Sequence, residues 1–318
     1  MNEATAGSAT SAHPRLAELI ARARQAAGDD PPALGLVHPC DALALQAAEA
    51  MRQAGIARPL LIGDLGAIDR AADAAGIELR GYELVNAADG APGAARRATA
   101  LVRGGALTAL MKGSLHTDEL MAAVVSKAEG LRTATRISHA FVFDLPRYPK
   151  LLALADCVVN IAPDLRTKQD IVGNAVAFLQ RLGVAEPKVG VVAAVESVNP
   201  AIPATLDAQA LVQLAAQGHW PGAVVEGPFG FDNAFSAEAA RVKGLRSRVA
   251  GDADLLVMPD LNAGNMLYKS FVYVGGGDCA GLVLGATVPV VLTSRADSLQ
   301  ARIASVALAV LTSPSNRN

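Results

Sequence analysis

Apolar runs of strand length alternate with alanine-rich helical patterns almost from end to end of the 318-residue chain. Strand-like runs stand at 34–37, 59–62, 109–111, 140–143, 157–161, 188–194, 223–226, 255–258, 281–284 and 288–292. Several are continuous Val, Ile and Leu rather than alternating, the mark of strands covered on both faces. Between them the apolar positions recur with helical period at 15–27, 41–54, 93–104, 118–128, 166–182, 207–217 and 298–311. Asp41 before Ala-Leu-Ala-Leu and Asp207 after Thr-Leu supply helix starts. The order predicts an α/β protein, mostly parallel sheet with helices on both faces. Two prolines at 143–149 interrupt the pattern and mark a boundary, and a second crossing is expected after 281–285.

Length makes two domains the natural expectation. Hydrophobic residues reach 52% and aromatics only 4%, so the interior is filled by Ala, Val and Leu. A net charge of −2 gives no general attraction to nucleic acid or an anionic membrane, and any anion site must be local. Cys40, Cys157 and Cys279 are odd in number and widely spaced, which fits free thiols in a reducing cytosol better than a disulfide framework or a metal cluster. Cys157 and Cys279 read as buried small hydrophobes. Arg15, Glu18, Arg22 and Arg24 occupy the first helical pattern, so no secretory signal is read there. The apolar stretch 280–293 is too short for a membrane span and contains Gly and Pro. These features predict a cytoplasmic protein.

Candidate chemistry gathers at strand ends. In Val257-Met-Pro-Asp-Leu-Asn-Ala-Gly-Asn265, Gly264 opens a turn and a helix through 266–271 sets Asn265 and Lys269 on one face; Asn262 and Asn265 offer donors and acceptors. The plainer reading is a capped helix start. Val290-Val-Leu-Thr-Ser-Arg-Ala-Asp-Ser298 ends in hydroxyls of Thr293 and Ser294 beside the Arg295 guanidinium, a group whose rigid fork suits phosphate. Met111-Lys-Gly-Ser-Leu-His-Thr117 places Lys112, Gly113, Ser114, His116 and Thr117 between a strand and a helix N-terminus, where glycine lets amides approach a ligand, or where Ser and Thr merely cap. Asp232 and Asn233 either line a cleft or cap the helix after Phe235. Gly275-Gly-Gly-Asp-Cys-Ala280 fits Gly-x-Gly-x-x-Ala but is followed by a strand, so it fails as a dinucleotide fingerprint and reads as a connector.

Taken together, Pro-Asp-Leu-x-Ala-Gly-Asn at 259–265, the Ser294-Arg295 pair, the 111–117 stretch and Gly-Pro-Phe-Gly-Phe-Asp at 227–232 resemble the phosphate acetyltransferase/phosphate butyryltransferase family, with a style closer to the butyryltransferase branch. The resemblance implies a two-domain fold like the isocitrate and isopropylmalate dehydrogenases, with residues 1–143 plus 286–318 in one domain, 144–285 in the other, and the active site in the cleft between them. It implies acyl-CoA and phosphate as substrates, no permanently bound cofactor or metal, and a homodimer or larger homo-oligomer. Arg295 would bind phosphate and Ser294 would stabilise the oxyanion. The acetyltransferase Asp expected six residues after the arginine is replaced by Ala301, so Asp297 is the candidate base or, equally, the cap of the following helix. A metal-dependent decarboxylating dehydrogenase of the same fold and a non-catalytic CoA-binding paralogue stay open as alternatives.

Overall fold

The computed structural model describes residues 12–292, 294 and 297–313. Within them the strands are β1 (Ala33–Val37), β2 (Arg58–Gly63), β3 (Glu83–Asn86), β4 (Ala109–Lys112), β5 (Ser138–Asp144), β6 (Leu152–Ala155), β7 (Lys188–Val192), β8 (Val224–Phe229), β9 (Leu255–Val257), β10 (Asp278–Leu284) and β11 (Val290–Val291). They form one sheet in the order β3-β2-β1-β4-β11-β10-β5-β6-β9-β7-β8. Both wings are parallel; the antiparallel pairings are those of β10 with β11 and β5, and of β5 with β6. The continuous Val and Leu runs are buried along nearly their whole length, as strands between two helical layers must be.

The helices are α1 (Pro14–Ala27), α2 (Ala42–Gln53), α3 (Leu65–Ala75), α4 (Gly90–Arg103), α5 (Thr117–Val124), α6 (Leu165–Arg181), α7 (Pro203–Ala216), α8 (Phe231–Phe235), α9 (Ala237–Val242), α10 (Leu261–Tyr273) and α11 (Leu299–Thr312). Helix α11 is apolar nearly all round, and every residue from Ala301 to Val310 is buried. It packs against α1, α2, β10 and β11, so the last helix in sequence is a core element. Helix α1 lays Leu16, Leu19 and Ala23 onto it, and Arg15 closes an ion pair with Asp144 at 2.5 Å that ties the start of α1 to the end of β5.

Strand order fixes where a ligand belongs. From β1 the chain leaves through α2 toward β2, and after β3 it returns through α4 to β4 on the other flank of β1. The loops after β1 and β4 therefore part in opposite directions and open a crevice at the carboxyl ends of these strands.

Several expectations are corrected. The run at 157–161 is no strand: the strand is β6, just before it, and the Asp156 carboxylate accepts from the amides of Val158, Val159 and Asn160, winding the apolar residues into a turn. Helix α7 begins at Pro203, and Asp207 sits inside it, paired with Lys168. Strand β3 and helix α3 were not anticipated; β3 is a mostly exposed edge with no apolar run to notice. The segment 145–150 joins antiparallel β5 and β6 within the continuous sheet, and β10 lies between β11 and β5.

Candidate active site

A cavity of about 600 Å³ opens at the crevice. One wall is built by the β1–α2 and β4–α5 loops. Their stitching explains the residue types: the Gly113 amide donates to the Val37 carbonyl, and a Cβ at 113 would stand 2.4 Å from that oxygen, so only glycine permits the approach. Ser114 gives its amide and its hydroxyl to the His38 carbonyl, and the same hydroxyl accepts from the Cys40 amide at 2.9 Å. His38 holds a left-handed φ of 53° between them. Asp41 caps α2 through the Ala44 amide, and the Glu119 carboxylate accepts from the His116 amide at the start of α5. Lys112 bridges the carbonyls of Gly113 and Leu115, fixing a cation at the mouth of the loop.

The second wall is the segment between β11 and α11. Asp297 accepts from the Ser294 amide at 2.6 Å. Arg302, one turn into α11 and only 6% exposed, donates through Nη2 to the Ser294 carbonyl at 2.6 Å and through Nε to the Asp297 carbonyl at 3.4 Å. The guanidinium thus holds Ser294 and Asp297 in one place. Burial raises the Asp297 carboxyl above its ordinary range; the Ser294 amide, Arg302 and Lys112 pull it down, and Asp278 pushes it up. The N-cap of α11 is Ser298, which accepts from the Ala301 amide and donates to Asp278, so the capping role weighed for Asp297 falls to its neighbour.

The third wall is aromatic. Phe141 stacks on Tyr268 of α10 with centroids 4.4 Å apart, and His139 meets Phe141 edge-on at 4.4 Å. Val158 and Leu292 complete it. The N-terminal turns of α2, α5 and α11 all border this cavity, so the positive ends of their dipoles add to Lys112, Lys269 and Arg302. An otherwise slightly acidic chain gains a local seat for anions beside an apolar wall.

Of the residues singled out from sequence, Lys112, Gly113, Ser114, His116, Thr117, Lys269, Ser294 and Asp297 line the cavity together. Thr293 and Arg295 lie outside the described residues. The structure does not bring Asp232, Asn262, Gly264 or Asn265 to the cavity wall. Asp232 pairs with Lys243 at 3.5 Å in the first turn of α8, and the helix after Phe235 is capped by Ser236. Asp260 caps α10 through the Ala263 amide; Asn262 is exposed beside it, and the Asn265 amide donates to the Cys157 carbonyl at 3.3 Å. Gly264 is required by packing, since a Cβ there would meet the Asp156 carbonyl at 2.6 Å. The Gly113 amide likewise serves β1 and not a ligand. Sequence reading missed Asp41, His139, Phe141, Val158, Tyr268 and Arg302. Arg302 carried a signal, a lone cation inside an otherwise apolar helical repeat. His139 stood in an apolar run with no flanking motif and carried none.

Residues 93–310 match the family described as Phosphate acetyl/butaryl transferase. A phosphate acetyltransferase of Rhizobium meliloti is 48% identical over 294 residues, 92% of this chain and 92% of that protein. A phosphate butyryltransferase of Clostridium acetobutylicum is 39% identical over 267 residues, 84% of this chain and 88% of the relative. Among solved structures, a branched-chain phosphotransacylase from Enterococcus faecalis superposes with a TM-score of 0.78 at 29% identity, covering 88% of this chain and 98% of that one. An α/β sheet with its cavity at the strand ends, cations beside a half-buried carboxylate and relatives matched along most of their length lead to one assignment: the chain belongs to the phosphate acetyl/butyryl transferase family.

Proposed function

We propose that the protein is a phosphate acyltransferase, moving a short acyl group reversibly between coenzyme A and inorganic phosphate. The observation that carries this reading is the meeting, in one cavity, of the β11–α11 residues Ser294, Asp297 and Arg302 with Lys112, His116 and Thr117 of the β4–α5 loop. Cations and helix N-termini suit phosphate, and a shielded carboxylate suits a thiol proton.

In the direction of acyl phosphate formation, a phosphate oxygen attacks the thioester carbonyl while both substrates lie in the cavity, so that positioning supplies much of the acceleration. In reverse, Asp297 removes the thiol proton; its raised carboxyl is a better match to that task than an ordinary aspartate. Ser294, held by Arg302, faces the developing oxyanion, and Arg295 is assigned to phosphate. We read the cavity as the cleft of a two-lobed molecule of the isocitrate dehydrogenase-like kind. Its first lobe is the wing β3-β2-β1-β4-β11, completed by the C-terminal segment, and its second is the wing β6-β9-β7-β8. The antiparallel β10 and β5 join them. Tyr273, exposed at the end of α10 with Val274, fits a cavity rim shared in a homo-oligomer.

The test is thiol release from acetyl-CoA and butyryl-CoA, with and without phosphate. Phosphate-dependent release that falls at least about 100-fold in Arg295→Ala is expected. Absence of phosphate-dependent release from any acyl-CoA would refute the assignment.

A further inference from the structure

One residue in the cavity wall is given nothing to do by the roles above. His139, on β5, is 1% exposed, and neither Nδ1 nor Nε2 has a hydrogen-bond partner among the described residues. The ring is firmly seated. It meets Phe141 edge-on, and Gly281 of β10 lies against both rings: a Cβ there would stand 2.7 Å from the imidazole Cε1 and 2.7 Å from Phe141 Cδ1. Glycine at 281 makes the room for it. The nearby Asp156 carboxylate is taken up by the amides of His139, Val158, Val159 and Asn160 and by the Asn160 side chain. Burial holds the imidazole below its ordinary value against the pull of Asp156, so the ring is neutral near neutral pH. A neutral imidazole carries one N–H and one lone pair, and a buried donor left without an acceptor is costly. Phe141, Tyr268 and Val158 line the cavity together with this ring, a chamber of apolar wall within a cavity that also carries Lys112, Ser114, His116 and Asp297.

We propose that the acyl end of the thioester occupies this chamber, its carbonyl oxygen accepting a hydrogen bond from the His139 imidazole N–H and its alkyl chain lying against Phe141, Val158 and Tyr268. The inference rests on the acyltransferase reading and assigns its acyl subsite. When a phosphate oxygen attacks the carbonyl carbon, the π pair moves onto the carbonyl oxygen. Collapse of the oxyanion breaks the C–S bond, and the proton that phosphate gives up ends on the thiol sulfur. His139 donates a hydrogen bond to the oxyanion throughout and transfers no proton, which a neutral, shielded ring is suited to do. The arrangement also makes chain length a matter of the rings: a longer alkyl chain gains contact with Phe141 and Tyr268.

Two variants and one labelled ring test it. His139→Phe keeps the bulk and removes the donor; His139→Gln keeps an N–H. Phosphorolysis of acetyl-, propionyl- and butyryl-CoA should show kcat lowered about 100- to 1000-fold in His139→Phe, with KM for phosphate within about threefold of wild type, and recovery to within about tenfold in His139→Gln. Independently, in wild-type protein carrying ¹⁵N-labelled histidine, butyryl-CoA added without phosphate should move the His139 ring resonance, assigned from its loss in His139→Gln, whereas CoA alone should not. A folded His139→Phe with undiminished kcat, or a ring resonance identical with CoA and butyryl-CoA, overturns the proposal. Where His139→Phe does not fold, the resonance decides alone. Wild-type turnover alongside either negative result condemns the His139 subsite only, whereas absence of wild-type turnover condemns the acyltransferase reading itself.

Discussion

A half-buried carboxylate whose affinity for protons has been raised works against the fold and for the chemistry. Asp297 binds its proton more tightly in the folded chain than in the unfolded one, so the stability it contributes is fullest at low pH and is lost as pH rises through its folded value. Asp297→Asn, which keeps an acceptor for the Ser294 amide, should therefore melt at the same temperature as wild type or higher. The same change should lower kcat in the acyl-phosphate-to-CoA direction by about 100-fold or more. The acid limb of kcat/KM in wild type should lie above the ordinary carboxylate range and vanish in the variant. His139 has the opposite sign of shift. Its folded affinity for protons is lowered, so the unfolded chain takes up the proton first, and stability should fall as pH drops below 6.5. The loss is at most about 1.4 kcal/mol per pH unit, and denaturant titrations of His139→Gln should show a flatter profile. Both residues illustrate what the chain alone discloses. Asp297 was visible because it sits beside a recognisable Ser-Arg pair. His139 was not, because its meaning lies in Gly281 and Tyr268, more than a hundred positions away.

Elements matter here chiefly for how they present their first turns. Helix α11 brings Arg302 to the cavity only while its start is fixed, and Ser298 fixes it through the Ala301 amide and through Asp278. Ser298→Ala should cost about 1 kcal/mol, a fall of about 2 °C in Tm, with a further loss of kcat as the clamp on Ser294 and Asp297 loosens. Gly264→Ala in α10 should cost about 1–3 kcal/mol, since the added methyl meets the backbone carbonyl of Asp156 and no flexible side chain can yield. Equilibrium unfolding in urea measures both. Most elements were legible as apolar runs with capping residues: Asp41, Asp164 and Asp260 all accept from an amide three residues on. The exceptions have physical causes. Strand β3 is an exposed edge and so lacks an apolar face, while the 157–161 run is bent by Asp156, a competition between side chain and ladder that periodicity does not register.

The whole molecule is one sheet whose wings are parallel and whose middle is antiparallel, and its most buried helix is its last. Native-state hydrogen exchange should rank α11 amides among the slowest, at the level of global unfolding, and β3 amides among the first to exchange. Uniform protection across both would show that burial does not set the order. The α/β class followed from the alternation of runs, and the family from motifs at strand ends. The order of the strands did not follow, because the return of β11 to β4 across more than half of the chain leaves no local trace.

That return bears on how the protein is made. During synthesis the ribosome delivers β4 long before β11, the partner that lies between it and β10, and until β11 and α11 emerge β4 and β10 each present an unpaired edge. The nascent polypeptide cannot own its second cavity wall before β11 and α11 are made, so a premature stop anywhere upstream of β11 should yield an aggregation-prone, wholly inactive fragment instead of a weakened enzyme.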